Sequence, residues 1–279
     1  MQEVVAYFEH IAPAVRGGIF IAGLVFFWTL EGLIPLFGNN YKKVSHAGLN
    51  LFLTGLNFVL GVGFAWLLLN VSDFTIEHQF GLLFLIDFPG WLRIILGVVF
   101  LDLVGAYFAH FTLHKIKWMW KFHVVHHSDQ QIDVTSGFRH HPGEIFLRMF
   151  FTVIGVIVIG TPMGVIMIYQ TLSLIFAQFT HANINVPNWL DKPLSWLIIT
   201  PNMHKVHHHF QQPYTDSNYG NIFAFWDRFF RTYLDLDKHL IVYGIDTHMD
   251  PKENDNLGNL LKIPFQEYRE PEGLKSKKI

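Results

Sequence analysis

The sequence predicts an all-α fold. We read an integral-membrane helical bundle of about four transmembrane helices or hairpin segments, with a His-rich core and cap on the cytoplasmic side. Three observations predict it. Of the 279 residues, 51% are hydrophobic and 15% charged, with a mean hydropathy of +0.29. An ordinary soluble domain carries about 25% charged residues. Several apolar runs approach the roughly 20 residues that cross a bilayer as a helix. The 17 His are clustered at helical spacing rather than scattered.

The elements follow in order. No linker rich in Pro, Gly or Ser divides the chain, so a single membrane-embedded domain is expected. It would hold N-terminal transmembrane helices over 1–90, a His-rich core over 91–235 and a C-terminal cytoplasmic tail over 236–279. Met1 to Val15 contains Glu3, Glu9 and His10 and no basic stretch ahead of an apolar core, so no cleavable signal peptide is expected. The first apolar run is Gly17 to Phe37, interrupted by Glu31; the second is Ala47 to Leu69. The third, Ile94 to Ala109, follows Pro89-Gly90, contains Asp102 and is short for a full span. The fourth region, Ile145 to Phe179, is divided at Thr161-Pro162. That division predicts a helical hairpin that either spans twice or dips in from one side.

Lysines set the expected orientation. Lys42 and Lys43 follow the first helix, and Lys115, Lys117 and Lys121 follow the third. The loop from Asn70 to Gly90 carries Asp73, Glu77 and Asp87 and neither Lys nor Arg. The His-rich segments and the C-terminal region are therefore expected in the cytoplasm, with Arg16 as the residue that opposes this. In a bacterium the membrane would be the inner membrane, in a eukaryote the endoplasmic reticulum. From Ala182 on, Trp189, Trp196, Phe223, Phe225, Trp226, Phe229, Phe230 and Tyr233 predict a cap at the membrane surface, where aromatic rings sit well. Lys275 to Ile279 reads as a solvated tail with a short dilysine-type match.

Charge and cysteine exclude several classes. A net charge of −2 gives no basic excess for nucleic acid. The absence of Cys removes disulfides, Cys-ligated zinc and iron–sulfur clusters. His and carboxylates remain as ligands. The His fall into three stripes: His110 and His114; His123, His126 and His127; His204, His207 and His208. Positions i, i+3 and i+4 share one helix face, so each stripe presents its imidazoles together. Neutral imidazole binds iron, zinc, copper or nickel, and helix bundles build di-metal sites from such inward-facing ligands. One such pair alone is more often a surface pair than a metal site. Three stripes in one apolar chain are costly beside membrane helices and point to function.

In this order and spacing, HxxxH, HxxHH and HxxHH around hydrophobic hairpins resemble the fatty acid hydroxylase/sterol desaturase superfamily. The resemblance covers about 100–233. Phe138 to Glu144, with His141-Pro142-Gly143-Glu144, resembles an HPxE element of that superfamily, and His181 to Pro187 resembles its His-containing segment before the third box. Asp216 to Gly220 and Phe225 to Arg228 resemble its C-terminal signature. The resemblance implies two iron ions held by His, activating O2 with electrons from an external donor, such as a cytochrome b5 or a ferredoxin. His110, His114, His123, His126, His127, His204, His207 and His208 are then the metal ligands. His181 matches an isolated ligand position, and His141 is either a ligand or a supporting residue. His140 and His209 are expected as neighbours. His10, His46, His78, His239 and His248 stand alone and are expected to be solvated or interfacial. A carboxylate or carbonyl should fix each imidazole tautomer; the candidates for that supporting role are Asp102, Tyr107, Asp129, Glu144, Asp216 and Asn218.

The expected function is O2-dependent oxidation of a lipid C–H bond, by hydroxylation or desaturation of a fatty acyl, sterol or related lipid. A transporter or proton relay would instead spread ionisable groups along several spans. A metal-dependent hydrolase would add carboxylate ligands to its zinc.

Overall fold

The computed structural model describes residues 2–38 and 40–275; the dilysine-type match at the terminus lies largely outside them. Among the described residues the chain is helical, with isolated β-bridges and no strand. The N-terminal part holds α1 (Gln2–Glu9), α2 (Pro13–Leu33) and α3 (Lys43–Glu77). Next comes one continuous rod made of α4 (Gly90–Leu101), a π-helical turn (Asp102–Phe108) and α5 (Ala109–Lys115). Ile116 is extended at φ −101° and ψ 111°, which ends this rod and starts α6 (Lys117–His127) at a new angle. The hairpin consists of α7 (Pro142–Ile159) and α8 (Met163–His181). Short helices follow: α9 (Asn188–Leu194), α10 (Pro201–His207), α11 (Phe225–Phe229), α12 (Pro251–Asn254), α13 (Leu257–Lys262) and α14 (Glu272–Lys275).

Among the described residues, five segments are long and apolar enough to cross a membrane: Pro13–Leu33, Lys43–Phe84, Gly90–Lys115, Pro142–Ile159 and Met163–His181. The expected short third helix is therefore corrected. It runs on through His110 and His114 to 26 residues. The apolar pattern stops at Ala109 because the polar residues after it face protein rather than lipid. The hairpin turn falls where the sequence places it. Gly160 ends α7 at φ +70°, and a Cβ there would stand 2.2 Å from the carbonyl oxygen of Phe80.

The spans have two unlike poles. At one, Gly160 packs against Gly81, Ser72 Oγ donates to Thr161 O at 3.0 Å, and Gly164 meets Val5 of α1. Contacts there are mostly backbone and small side chains. Between the poles lies an apolar core that includes Leu68, Val98, Leu101, Val156, Ile159, Ile166 and Tyr169. At the other pole lie α6, α10, the connecting loops and every His stripe. Glu31 of α2 ties this pole together: its carboxylate accepts from Val134 N, Asn183 N and Lys43 Nζ.

The segment 236–275 packs onto the core. Ile245, Leu260 and Ile263 bury themselves against Trp120, Val124 and Val125 of α6 and Leu53 of α3. Arg139, 1% exposed, clamps the same junction by donating to Val125 O, Asn50 Oδ1 and Asn254 O. The aromatic helix α11 is confined to Phe225–Phe229, because Asn218 to Ala224 is held as a loop by side-chain acceptors.

Candidate metal centre

Each His stripe is delivered by a short helix whose ends are set locally. His110 and His114 lie one turn apart on α5, and His123, His126 and His127 close α6. The third stripe begins at a built helix start: Thr200 accepts from Met203 N at 3.3 Å and Pro201 occupies the first turn. His181 is the last residue of α8, and its approach needs Gly137, where a Cβ would stand 2.7 Å from Ala177 O and 3.1 Å from His181 Nδ1.

The stripes converge on two groups. His110, His114, His123, His127 and His207 form one; His126, His181, His204 and His208 form the other, with ligand atoms within 4.8 Å of one another in each. All nine are buried. The groups adjoin: the rings of His127 and His208 stack at 4.7 Å and those of His126 and His127 meet at 5.5 Å. His123 Nε2 lies 3.0 Å from His110 Nε2. His181 Nε2 lies 3.0 Å from His204 Nε2 and 3.2 Å from those of His126 and His208. Two nitrogens bound to one ion at about 2.1 Å stand about 3.0 Å apart at a right angle and about 3.4 Å apart at the tetrahedral angle. The spacing within each group is therefore that of ligands sharing a cation.

Hydrogen bonds decide which nitrogen is free. Nδ1 of His110 donates to Tyr219 O at 2.8 Å and that of His207 to Ser217 O at 2.6 Å. Nδ1 of His123 donates to Glu144 Oε1 at 2.8 Å and that of His114 to Asp216 Oδ1 at 3.2 Å. Nδ1 of His181 donates to Ala177 O at 2.8 Å. A neutral imidazole carries one N–H, so each of these rings turns a bare Nε2 lone pair inward. Burial pushes His123 down to about 3 and holds His126, His127, His204, His207 and His208 well below the usual imidazole range, so these rings stay neutral. Nε2 of His114, both nitrogens of His127 and Nε2 of His207 are buried without a hydrogen-bond partner among the described residues. Each such orphan costs about 1–3 kcal/mol, which a bound cation would relieve. The donor set is all nitrogen, and it fits a divalent transition metal such as iron.

The supporting candidates divide. Glu144 and Asp216 reach ligand rings, as above. Burial alone would raise the Asp216 carboxyl, but the bonds from His114 and Lys115 hold it below its usual value. The other four point elsewhere. Asp102 accepts from Ile222 N, Phe223 N and Trp226 Nε1. Tyr107 OH pairs with Thr232 Oγ1. Asp129 meets His46, Ser136 and Gln131 N. Asn218 binds backbone groups of Met203 and Leu234. His141 joins neither group: it caps α7, with Nδ1 accepting from Gly143 N at 2.9 Å. His140 lies 3.0 Å from Glu144 and stacks on His126, so it is a neighbour of the centre. His209 accepts from Val242 N.

Sequence reasoning missed several residues. His46 is not solvated. It sits between Asp129 and Asp133, with Nε2 2.9 Å and Nδ1 3.0 Å from them, because α3 begins four residues ahead of its apolar run and carries His46 into the loop after α6. His248 is also buried, at 7% exposure. Trp120 lies against His114, His123 and His127, and Tyr219 against His110, His114 and His207. Asp227 fixes the Tyr219 loop by accepting from Tyr219 N and Gly220 N.

Comparison with known proteins finds the same stretch. A family model described as fatty acid hydroxylase matches residues 94–232. Alkylglycerol monooxygenase of Xenopus tropicalis is 31% identical over 160 residues, 57% of this chain and 33% of that protein. The Homo sapiens alkylglycerol monooxygenase is 28% identical over 158 residues, again 57% of this chain and 33% of the relative. Ornithine lipid hydroxylase OlsE of Rhizobium tropici is 26% identical over 147 residues, 53% of this chain and 43% of the relative. The aligned part thus spans between a third and under half of these relatives' length. No solved structure matches the chain significantly.

Proposed function

Because the chain belongs, through residues 94–232, to the fatty acid hydroxylase superfamily, we propose that it is an O2-dependent lipid oxidoreductase working at a His-ligated di-iron centre. One observation carries the reading: nine buried imidazoles fall into two adjoining groups of five and four, and in five of them a bonded Nδ1 leaves the Nε2 lone pair facing inward. His110, His114, His123, His127 and His207 would hold one ion, and His126, His181, His204 and His208 the other. Bound iron supplies what the side chains lack, reversible one-electron chemistry with O2 and, with external electrons, oxidation of a C–H bond.

The chain's own residues set the conditions for this. Glu144 and Asp216 accept the Nδ1 protons of His123 and His114 and so fix both tautomers. The carbonyls of Tyr219, Ser217 and Ala177 do the same for His110, His207 and His181. Trp120 and Tyr219 flank the first group and limit water around it. The centre sits where the apolar spans end, so a long lipid can reach it from the bilayer. Hydroxylation of an acyl or ether-linked chain is the reaction we favour, since the printed names of the relatives describe a monooxygenase and a lipid hydroxylase.

The competing readings find less support. Within the spans, the carboxylates of Glu31 and Asp102 are each bound by backbone N–H groups and do not form a path. Neither of the two His groups contains a carboxylate, which a hydrolytic zinc site usually adds. The deciding experiment is elemental analysis of the purified chain, paired with lipid analysis of a deletion strain complemented by wild type or His207→Ala. Two irons per chain and an oxidised lipid that disappears with His207→Ala are expected. Metal-free protein that still oxidises its lipid would end the reading.

A further inference from the structure

A surface cleft of about 400 Å³ opens beside the first His group and shares Asp216 with it. It is lined by Lys115, Gln212, Asp216, Arg231 and Thr232, with Pro213 and Leu234 as an apolar wall. Lys115 and Asp216 are paired at 2.8 Å. The Arg231 guanidinium has no hydrogen bond or ion pair among the described residues, so the cleft keeps an uncompensated positive charge. Gln212 and Thr232 add an amide and a hydroxyl.

Its position is that of a bilayer edge. Lys115 is the last residue of the apolar span Gly90–Lys115. Phe230 stacks on Tyr107 at 5.1 Å and lies 5.3 Å from Phe108, both within that span. Phe229 beside it is 74% exposed. Arg231 follows these rings directly, which puts its charge where the apolar zone gives way to headgroups.

The backbone at Arg231 supplies a separate argument. Its φ is +60°, in the left-handed region that favours Gly, Asn or Asp. A long cation held in a conformation that disfavours it points to a use for the side chain.

We infer that this cleft is a headgroup subsite for an anionic phospholipid, with Arg231 and Lys115 on the phosphate and Phe229 and Phe230 along the first carbons of its chain. The ligand being a lipid rests on the proposed function; the phosphate chemistry rests on the cleft alone. Charge-assisted hydrogen bonds to one guanidinium carry about tenfold or more in affinity.

The test uses the full chain in detergent, without O2 or an electron donor, titrated with dihexanoyl phosphatidic acid, dihexanoylglycerol and inorganic phosphate. The phosphatidic acid should bind at least about tenfold tighter than either of the others. Arg231→Gly relieves the left-handed backbone, so it should keep its metal content and melting temperature while losing about tenfold or more in phosphatidic acid affinity. Arg231→Asn should do the same, and Arg231→Lys should keep most of the binding. Unchanged affinity in Arg231→Gly and Arg231→Asn overturns the assignment. Equal binding of dihexanoylglycerol reduces the contact to apolar burial, and equal binding of inorganic phosphate makes the source a free anion; either outcome also overturns it. Because turnover is never read, failure here leaves lipid oxidation standing, and failure of oxidation leaves the binding result standing.

Discussion

At the residue scale, Asp216 and Glu144 separate two kinds of support. Asp216 holds one ligand ring, His114, and its side chain is 23% exposed, so its loss leaves no buried charge unpaired. Asp216→Ala should therefore fold and insert normally but bind iron about 10–100-fold more weakly. Titration of metal-stripped protein measures this; unchanged affinity would remove Asp216 from the centre. Glu144 is fully buried and also meets His140 and Arg148. Glu144→Ala should lower both iron affinity and melting temperature, because Arg148 and the His123 imidazole lose their acceptor. His248 gives a pH signature away from the centre. Burial, aided by Arg269, pushes its pKa down to about 4 from an ordinary 6.5. Between those values the unfolded chain binds a proton that the folded chain refuses, so the stability gained at neutral pH declines as pH falls through that window. Melting temperatures of metal-stripped protein at pH 7 and pH 5 should differ, and His248→Gln should narrow the gap. The sequence made the nine converging His legible, because residue type and helical spacing alone announce a stripe. It could not make Tyr219 or His46 legible. Each reaches its partners through a chain reversal, and nothing in local spacing records that.

At the element scale, the site hangs on short helices that would not form in isolation, so their caps matter. Thr200 starts α10, and all three of its stripe residues follow within eight positions. Thr200→Ala should cost about 1 kcal/mol of stability, and denaturant titration with and without metal should find the loss in both. The hairpin turn was legible from Thr161-Pro162, since Pro punctuates a helix wherever it occurs. The π-helical turn at 102–108 was not legible. It keeps helical composition and changes only the hydrogen-bond partner; the third span was read as short because the His-bearing turn after Ala109 is polar yet buried in protein. The loop from Asn218 to Ala224 was not legible for a related reason. Its conformation is imposed by Asp102 and Asp227 from outside the segment.

At the scale of the whole molecule, two poles organise the chain. Spans, hairpin and cap were legible because a bilayer imposes length and apolarity on a sequence directly. The packing of 236–275 onto α6 was not, since its contacts come as isolated apolar residues without a period. The lysine pattern predicts that the His pole faces the cytoplasm, and the structure supplies the geometry for a test. Phe80 belongs to the pole of Gly160, whereas the C-terminal helices belong to the pole of the His groups. Reporter fusions after Phe80 and after Ile279 should therefore fall on opposite sides of the membrane, the second in the cytoplasm. Two reporters on one side would refute the crossing pattern.

The division of ligands between the groups bears on how the protein is made. The first group draws four members from 110–127 and its fifth from His207; the second needs His181, His204 and His208 beside His126. A chain still on the ribosome and short of residue 204 therefore holds neither group complete, even with all five spans synthesised. If the two groups hold iron as proposed, metal loading is a late event in biogenesis, and a nascent chain that stalls early lacks a complete centre.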